Sequence, residues 1–526
     1  MLAICNPAIG SKIYQDFSDG IITLKKTDRQ KTSHPFRVLF LSSEITPFLK
    51  SGGLADVAGS LPVALKAASP EGVDIRIATT AFSGIRQHQS IRLHHSFLFQ
   101  SPSGKRKADI FHSRIGTGEG SVPVYFVGID DLFERKGIYG EKETEYPDNF
   151  ERYLLWSHAI RELIRSESFV PDIVHGNDWQ TGLFFPLMQT WQKQDKELTA
   201  THSLFTIHNL AYKGLFPLDR LPQTGLPEQY GHFSKLEFYG QLSFLKGGIC
   251  CTDILTTVSP GYRNEVLQEP EGEGLSGALR ARGERFVGVL NGMDMDRWNP
   301  ENDPLIKCPY SSGDHSPKKF AKKDLLDLFG IEESPELPLV AMVTRMTAQK
   351  GLDFALEAIE HLFRHNERVR IVILGSGSPV LEKKALQLAD TYKGMFGIRI
   401  GFDDDLARKI YAGSDFFLMP SRFEPCGLSQ MYAMRYGSIP IVNPTGGLRD
   451  TVSPGRTGLW LETLSTEGII QCIREALRLY SDPAALDRYR TNAMLEENGW
   501  GKRAGQYLDL YEKGSGMKIR RFTGPA

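Results

Sequence analysis

The residues able to do chemistry lie in short polar stretches, each directly after an apolar run. In SRFEPCGLSQ, residues 421–430, Arg422 and Glu424 stand just after Phe416–Met419. Pro425 holds Glu424 out of helix, and Gly427 and Leu428 open the next helix with free N–H groups. One turn thus offers a carboxylate and backbone donors. The same Glu424 would also favour a helix dipole, with Arg422 paired to a surface acid. In VTRMTAQKGLD, Arg345 and Lys350 stand five residues apart around a helix start. Two cations there suit a diphosphate, the guanidinium gripping two oxygens and the ammonium acting as a point charge. In FLKSGGLADV, Lys50 precedes Gly52 and Gly53, whose backbone lets an anion approach a helix N-terminus. An ordinary glycine turn reads the same way, and neither a P-loop nor a G-x-G-x-x-G pattern is present. In NPTGGLRD, Thr445, Gly446 and Gly447 are a second candidate phosphate loop. His208 and Asn209 end the β-rich run SLFTIHNL, where a histidine can bond a hydroxyl or accept a proton. Asp178, in HGNDWQ, holds an equivalent place, and a helix cap is its plainest use.

These stretches need a scaffold that brings strand ends together. RVLFLSSE, DIRIATT, PVYFVG, PDIVHGND and SLFTIHNL are short β-rich runs, with helical stretches such as NFERYLLWSHAIRELIRS between some of them. That alternation predicts a parallel α/β sheet. Closely spaced runs around residues 91–128 predict a β insertion. The pattern restarts near residue 284 with RFVGVLNG, LPLVAMVTR, RIVILGSGS, GIRIGF, DFFLMPS and IPIVNP. The expected layout is an extension with little order over 1–35, a first doubly wound domain over 36–283, a second over 284–499, and a closing segment over 500–526. Ligands of such sheets bind beyond the strands' carboxyl ends, where all the candidates lie.

Composition narrows the function classes. The chain has 526 residues, 41% hydrophobic and 24% charged; 62 Lys and Arg against 63 Asp and Glu leave a net charge of -1. This argues against broad attraction to nucleic acid or anionic membrane. The 6 cysteines show no CxxC spacing, which predicts free thiols in a reducing cytosol. No apolar run approaches the roughly 20 residues of a membrane span. If residues 1–35 acted instead as a transit peptide, the compartment would be a plastid.

Taken in order, KSGGLADV, HNLAYKGLF, LNGMDMDRWNP, TRMTAQKGLD, SRFEPCGLSQMYAMRYGSIPIV and TGGLRDTV resemble the bacterial glycogen synthases and plant starch synthases. The resemblance runs from about Arg37 to Tyr511. It implies a GT-B fold, two Rossmann-like domains facing a deep cleft, with the last helix crossing back to the first domain. It implies transfer of glucose from ADP-glucose to the non-reducing end of an α-1,4-glucan with retention, and no cofactor or metal. By the same resemblance His208, Glu424, Arg345 and Lys350 are catalytic. Lys50, Gly52, Gly53, Asp56, Asn291, Cys426, Gly427, Leu428, Thr445 and Gly446 bind the donor, and Asp178 and Asn209 support the acceptor side. The chain departs from the family at Ser51, where threonine is usual, and at Asn177 and Gln180, which replace histidines. Eight positions after Glu424, where many related enzymes carry a second glutamate, stands Tyr432. A UDP-glucose-dependent synthase is the rival reading; a non-catalytic glucan-binding homologue would be expected to lose Glu424, Arg345 or Lys350.

Overall fold

The structure, a computed structural model, describes residues 34–521 apart from 131, 142, 143, 333 and 335. The expectation for the N-terminal extension therefore falls almost wholly outside the described residues. The first sheet has nine strands: β1 (Phe36–Leu41), β2 (Val73–Thr80), β3 (Arg92–Ser101), β4 (Gly104–Ile115), β5 (Val122–Ile129), β6 (Ile173–Asn177), β7 (His202–Ile207), β8 (Ile254–Thr257) and β9 (Phe286–Gly288). Their order is β9-β8-β7-β6-β1-β2-β5-β4-β3. The run from β9 to β5 is parallel; β4 and β3 add an antiparallel hairpin, the insertion expected around residues 91–128. Phe40 and Leu41, neighbours on opposite faces of β1, are both fully buried, as helices on both sides of a parallel sheet require.

The second sheet holds β10 (Leu339–Val343), β11 (Arg370–Gly375), β12 (Phe396–Ile400), β13 (Phe416–Met419), β14 (Ile439–Val442) and β15 (Leu459–Trp460), all parallel, in the order β12-β11-β10-β13-β14-β15. Strand order reverses direction between β1 and β6 in the first sheet and between β10 and β13 in the second. A crevice opens at such reversals. The loops after these four strands carry Lys50, Asp178, Arg345 with Lys350, and Glu424.

One boundary differs from expectation. Phe286–Gly288 pairs with β8, and Val289 N–H continues that ladder to Thr257 O at 2.8 Å. The first domain therefore extends past residue 283. RFVGVLNG reads as a strand in either sheet; only its neighbour, set by tertiary pairing, decides which.

Two segments cross between the domains, and they touch. Met293 N–H donates to Asn498 O at 2.9 Å, and Met293 bridges Gly499. The helix Gly501–Ser515 then lies against the helix Gly53–Ala68 of the first domain. Tyr507 and Tyr511 are fully buried there, Tyr511 OH meets His175 Nδ1 at 2.7 Å, and Trp500 Nε1 donates to Ser60 Oγ at 2.8 Å. No helix among the described residues is long and apolar enough to cross a membrane.

Candidate active site

At the end of β13 the chain turns through Pro420–Leu428 into the helix Ser429–Arg435. Glu424 is buried, and its Oε2 accepts from Lys350 Nζ at 2.6 Å and from Ser421 Oγ at 3.1 Å. Gly427 has φ +72, and a Cβ there would come within 2.4 Å of Gln430 Oε1, so the turn requires glycine. Among the described residues, no group accepts from the N–H of Gly427 or Leu428. Arg422 binds Asp353 through two bonds of 2.8 and 2.7 Å and also reaches Ala348 O, while its N–H donates to Gln349 O at 2.8 Å. The guanidinium fork thus clamps the Lys350 loop to the Glu424 loop. Its partner, Asp353, lies in the first turn of the helix Leu352–Arg364 that follows the Lys350 loop.

Arg345 and Lys50 reach across the cleft. Arg345 Nη1 donates to Tyr212 OH at 2.8 Å and Nη2 to Gln349 Oε1 at 3.2 Å. Lys50 Nζ sits 3.2 Å from Asp56 and 3.0 Å from Asp404, which also accepts from Arg297 at 2.9 Å. Burial raises the Asp56 carboxyl above its ordinary value, with Lys50 pulling the other way.

His208 is held by the β6 loop. Its backbone N–H donates to Asp178 Oδ1 at 2.7 Å, and the Asn209 N–H reaches the same oxygen at 3.4 Å. Asp178 thus braces the His208 loop, and no side chain caps the short helix Asp178–Gly182, so the capping role expected for Asp178 is wrong. Asn177 Nδ2 donates to Leu41 O at 2.8 Å, which fixes the amide so that Oδ1 accepts from His208 Nε2 at 2.9 Å. The proton on Nε2 leaves Nδ1 bare. Burial pushes the imidazole down to about 3 and the Asp178 carboxyl up to about 7. Burial thus favours the neutral imidazole, held as a hydrogen-bond donor to Asn177.

The two shifts act on stability with opposite sign. A neutral folded His208 makes stability rise with pH until its unfolded value, about 6.5, is passed. A carboxyl raised to about 7 makes stability fall as pH climbs from its unfolded value, about 3.8, to about 7. Asp178→Asn removes only the second effect. Relative to wild type, the variant is expected to gain stability between about pH 4.5 and about pH 6.5, by up to roughly 1.4 kcal/mol per pH unit. Urea midpoints at the two pH values test this; a constant difference would contradict it.

Two glycine loops differ from expectation. Glu44, directly after β1, is buried and accepts from Ser51 N–H at 2.5 Å and Gly52 N–H at 3.1 Å, with Tyr139 OH at 3.0 Å. Glu265 accepts from Gly446 N–H at 2.8 Å and from Thr445 Oγ1 at 3.2 Å, and Gly447 N–H donates to Glu424 O at 3.0 Å. The chain's own acceptors therefore occupy the N–H groups of Gly52, Gly446 and Gly447, which were expected to be free for phosphate, and that of Ser51 beside them. Tyr262, on the helix Pro260–Glu265, accepts the Leu210 N–H at 3.0 Å. That helix thus links the His208 loop to the Thr445 loop, and through Gly447 to Glu424.

This geometry has counterparts among known proteins. Residues 37–281 match the family model for the starch synthase catalytic domain, and residues 327–493 that for glycosyl transferases group 1. The glycogen synthase of Syntrophotalea carbinolica is 40% identical over 483 residues, covering 90% of this chain and 98% of that one. The glycogen synthase of Myxococcus xanthus is likewise 40% identical, over 479 residues, with the same coverage. The chain belongs to the glycogen and starch synthase family. Among solved structures, the catalytic domain of starch synthase IV from Arabidopsis thaliana, bound to ADP and acarbose, superimposes with a TM-score of 0.83 at 31% identity, covering 92% of this chain and all of that one. Sucrose-phosphate synthase from Thermosynechococcus elongatus, at 17% identity and a TM-score of 0.57, shares the fold. The family and the GT-B architecture expected from the motifs are thus both found.

Within this family member the remaining candidates fall as follows. Cys426 is buried, its thiol pushed up to about 12 by burial although the Asn291 N–H reaches it, so it is no nucleophile at neutral pH. Asn291 Oδ1 is buried and has no partner among the described residues. Gly53 faces Leu428 across the cleft, where a Cβ would meet Leu428 Cδ1 at 3.5 Å. Tyr432 stacks on Trp298 with centroids 3.8 Å apart inside the core, so the position of a second glutamate is filled by packing. Sequence reasoning missed Glu44, Tyr212, Glu265 and Asp404. For Glu44 there was a signal: an acid closing a buried strand just ahead of a glycine loop.

Proposed function

We infer that this glycosyltransferase moves glucose from ADP-glucose to the non-reducing end of an α-1,4-glucan with retention of configuration, in the cytoplasm. The observation that carries this reading is the Lys350–Glu424 pair at 2.6 Å, clamped by Arg422 beside the open N–H groups of Gly427 and Leu428. A carboxylate suits sugar hydroxyls, and the cation with the N–H groups suits a diphosphate. The ADP bound to the Arabidopsis neighbour supports the base, and the glycogen synthase relatives support the acceptor.

Retention through a covalent intermediate needs two carboxylates about 5 Å apart. Tyr432 fills the second position, which favours attack from the face the diphosphate leaves. Lys350 and Arg345 then stabilise charge building on the leaving diphosphate, and the departing oxygen helps take the acceptor's proton. Glu424 holds the donor glucose, and neutral His208 orients it. Lys50 joins the diphosphate by exchanging Asp404 for it as the domains close and exclude water. The cations do what a metal does elsewhere, so no metal is assigned to the reaction.

Radiolabel transfer to glycogen from ADP-glucose and from UDP-glucose is the decisive test. Transfer from ADP-glucose at a clearly higher kcat/KM is expected. Preference for UDP-glucose would overturn the donor, and glucan binding without transfer from either would overturn the reaction. Excess chelator is expected to leave the rate unchanged; abolition would contradict the metal-free reading.

A further inference from the structure

Far from the cleft, at the free edge of the first sheet, the chain brings two histidines and a glutamate to one point. His94 Nε2 lies 3.0 Å from Glu167 Oε1, His95 Nδ1 lies 3.6 Å from the same oxygen, and all the ligand atoms fall within 4.8 Å of one another. Successive residues on a regular strand point to opposite faces. Here the β3–β4 register shifts between Leu93 and His95, so His94 is an extra residue in a β-bulge, and both rings turn toward the same carboxylate.

His94 Nε2–H donates to Glu167 Oε1, a proton that a bound metal ion would displace, while the hydrogen bonding of His95 leaves an electron pair facing inward. Ser166 Oγ gives its hydrogen to Leu163 O at 3.2 Å, so it accepts from His95 Nε2–H at 3.1 Å. His95 Nδ1 is then a bare lone pair aimed at a carboxylate oxygen. The other oxygen of Glu167 accepts from Tyr125 OH at 2.8 Å and lies 3.6 Å from Arg76 Nη1, so outer partners orient the carboxylate and leave Oε1 to the histidines. Glu167 also caps the C-terminus of the helix Asn149–Ser166, the negative end of the helix dipole, where a cation is favoured. His112 stands behind, its ring 5.7 Å from that of His94.

We propose that His94, His95 and Glu167 bind a divalent transition-metal ion of the zinc type, which ties the β3–β4 hairpin to the end of the helix Asn149–Ser166. Bonds of about 2.0–2.1 Å in a tetrahedron place ligand atoms roughly 3.3 Å apart, close to the separations of both histidines from Glu167. Two imidazoles and one carboxylate suit zinc, and His94 is exposed, so an ion can enter from solvent and water can complete the coordination. The site serves stability of the hairpin, and glucosyl transfer does not use it.

The test is calorimetric titration of the full chain with Zn2+ after treatment with chelator, beside H94A/H95A and E167Q. Wild type is expected to bind one Zn2+ per chain at this site, and the double variant to lose about tenfold or more in affinity, with E167Q in between. Bound Co2+ should give d–d bands without a thiolate charge-transfer band, which separates this site from the cysteines. Zn2+ should raise the Tm of wild type and leave that of the double variant unmoved. Chelator-treated variants should melt near wild type and keep full transfer activity, which shows that they fold. No Zn2+ binding by wild type, or equal binding by H94A/H95A, would overturn the proposal.

Discussion

Replacing Lys350 by alanine is expected to cut turnover by roughly 10²–10³, the loss typical of removing one preorganised group from developing charge. The side chain has little other work: it sits in the loop after β10 and meets Glu424 at the mouth of the cleft. Its removal also strips a buried carboxylate of its counter-charge, so Glu424 loses the partner that fixes it in place. Both effects are larger in the transition state than in the bound ground state, so kcat falls more than KM rises. Lys350→Arg keeps the charge but replaces a compact ammonium by a wide planar fork, and it is expected to fall between. Single-turnover transfer from the donor, with thermal melting as a check on folding, measures this. Near-normal turnover in Lys350→Ala would remove Lys350 from the mechanism.

The largest effect on stability is expected at Asp415, just before β13. Asp415 is buried, accepts from Lys322 Nζ at 2.7 Å, Leu339 N–H at 2.9 Å and Arg490, and its own carbonyl receives the Ile439 N–H at 2.9 Å. Burial alone would raise its carboxyl, but Lys322 and Arg490 hold it below its ordinary value. A carboxylate lowered in this way contributes stability above its unfolded pKa of about 3.8, lost as the pH falls below it. Asp415→Asn leaves the Lys322 and Arg490 charges uncompensated, and breaking a buried pair costs about 3–5 kcal/mol. The denaturation midpoint at neutral pH should fall accordingly, and the penalty should shrink in acid, where wild type loses the same charge. A loss below about 1 kcal/mol would mean that the cluster relaxes or admits water.

Much of the candidate site's placement was legible because strand ends announce themselves. An apolar run followed by Gly, Ser and a charge marks both a buried strand and the loop that lines a cleft, and Lys50, Asp178, His208, Arg345 and Glu424 were all found this way. The partners were hidden, because contact across a cleft leaves no local pattern. Lys50 and Asp404 are 354 positions apart, and Glu265 and Gly446 are 181. A glycine loop reads as an anion site whether its N–H groups are open or already bonded to a distant glutamate. The domain boundary was misplaced for a related reason: β9 has the composition of a strand and nothing in it names its neighbour. For Arg422 the sequence offered a surface acid as partner without saying which; Asp353, 69 positions away, is that acid.

The docking of the helix Gly501–Ser515 has a consequence for how the molecule is made. Tyr507 and Tyr511 fill a surface of the first domain, so that domain, begun at β1, still lacks part of its core when the second domain has left the ribosome. The first half to be synthesised is the last to be finished. A nascent chain stalled anywhere before residue 501 exposes an apolar trough along the helix Gly53–Ala68 and β7, a surface for a chaperone to hold or for a truncated product to aggregate through. Premature stops close to the C-terminus, far from every catalytic side chain, should therefore damage this enzyme as severely as losses at the cleft.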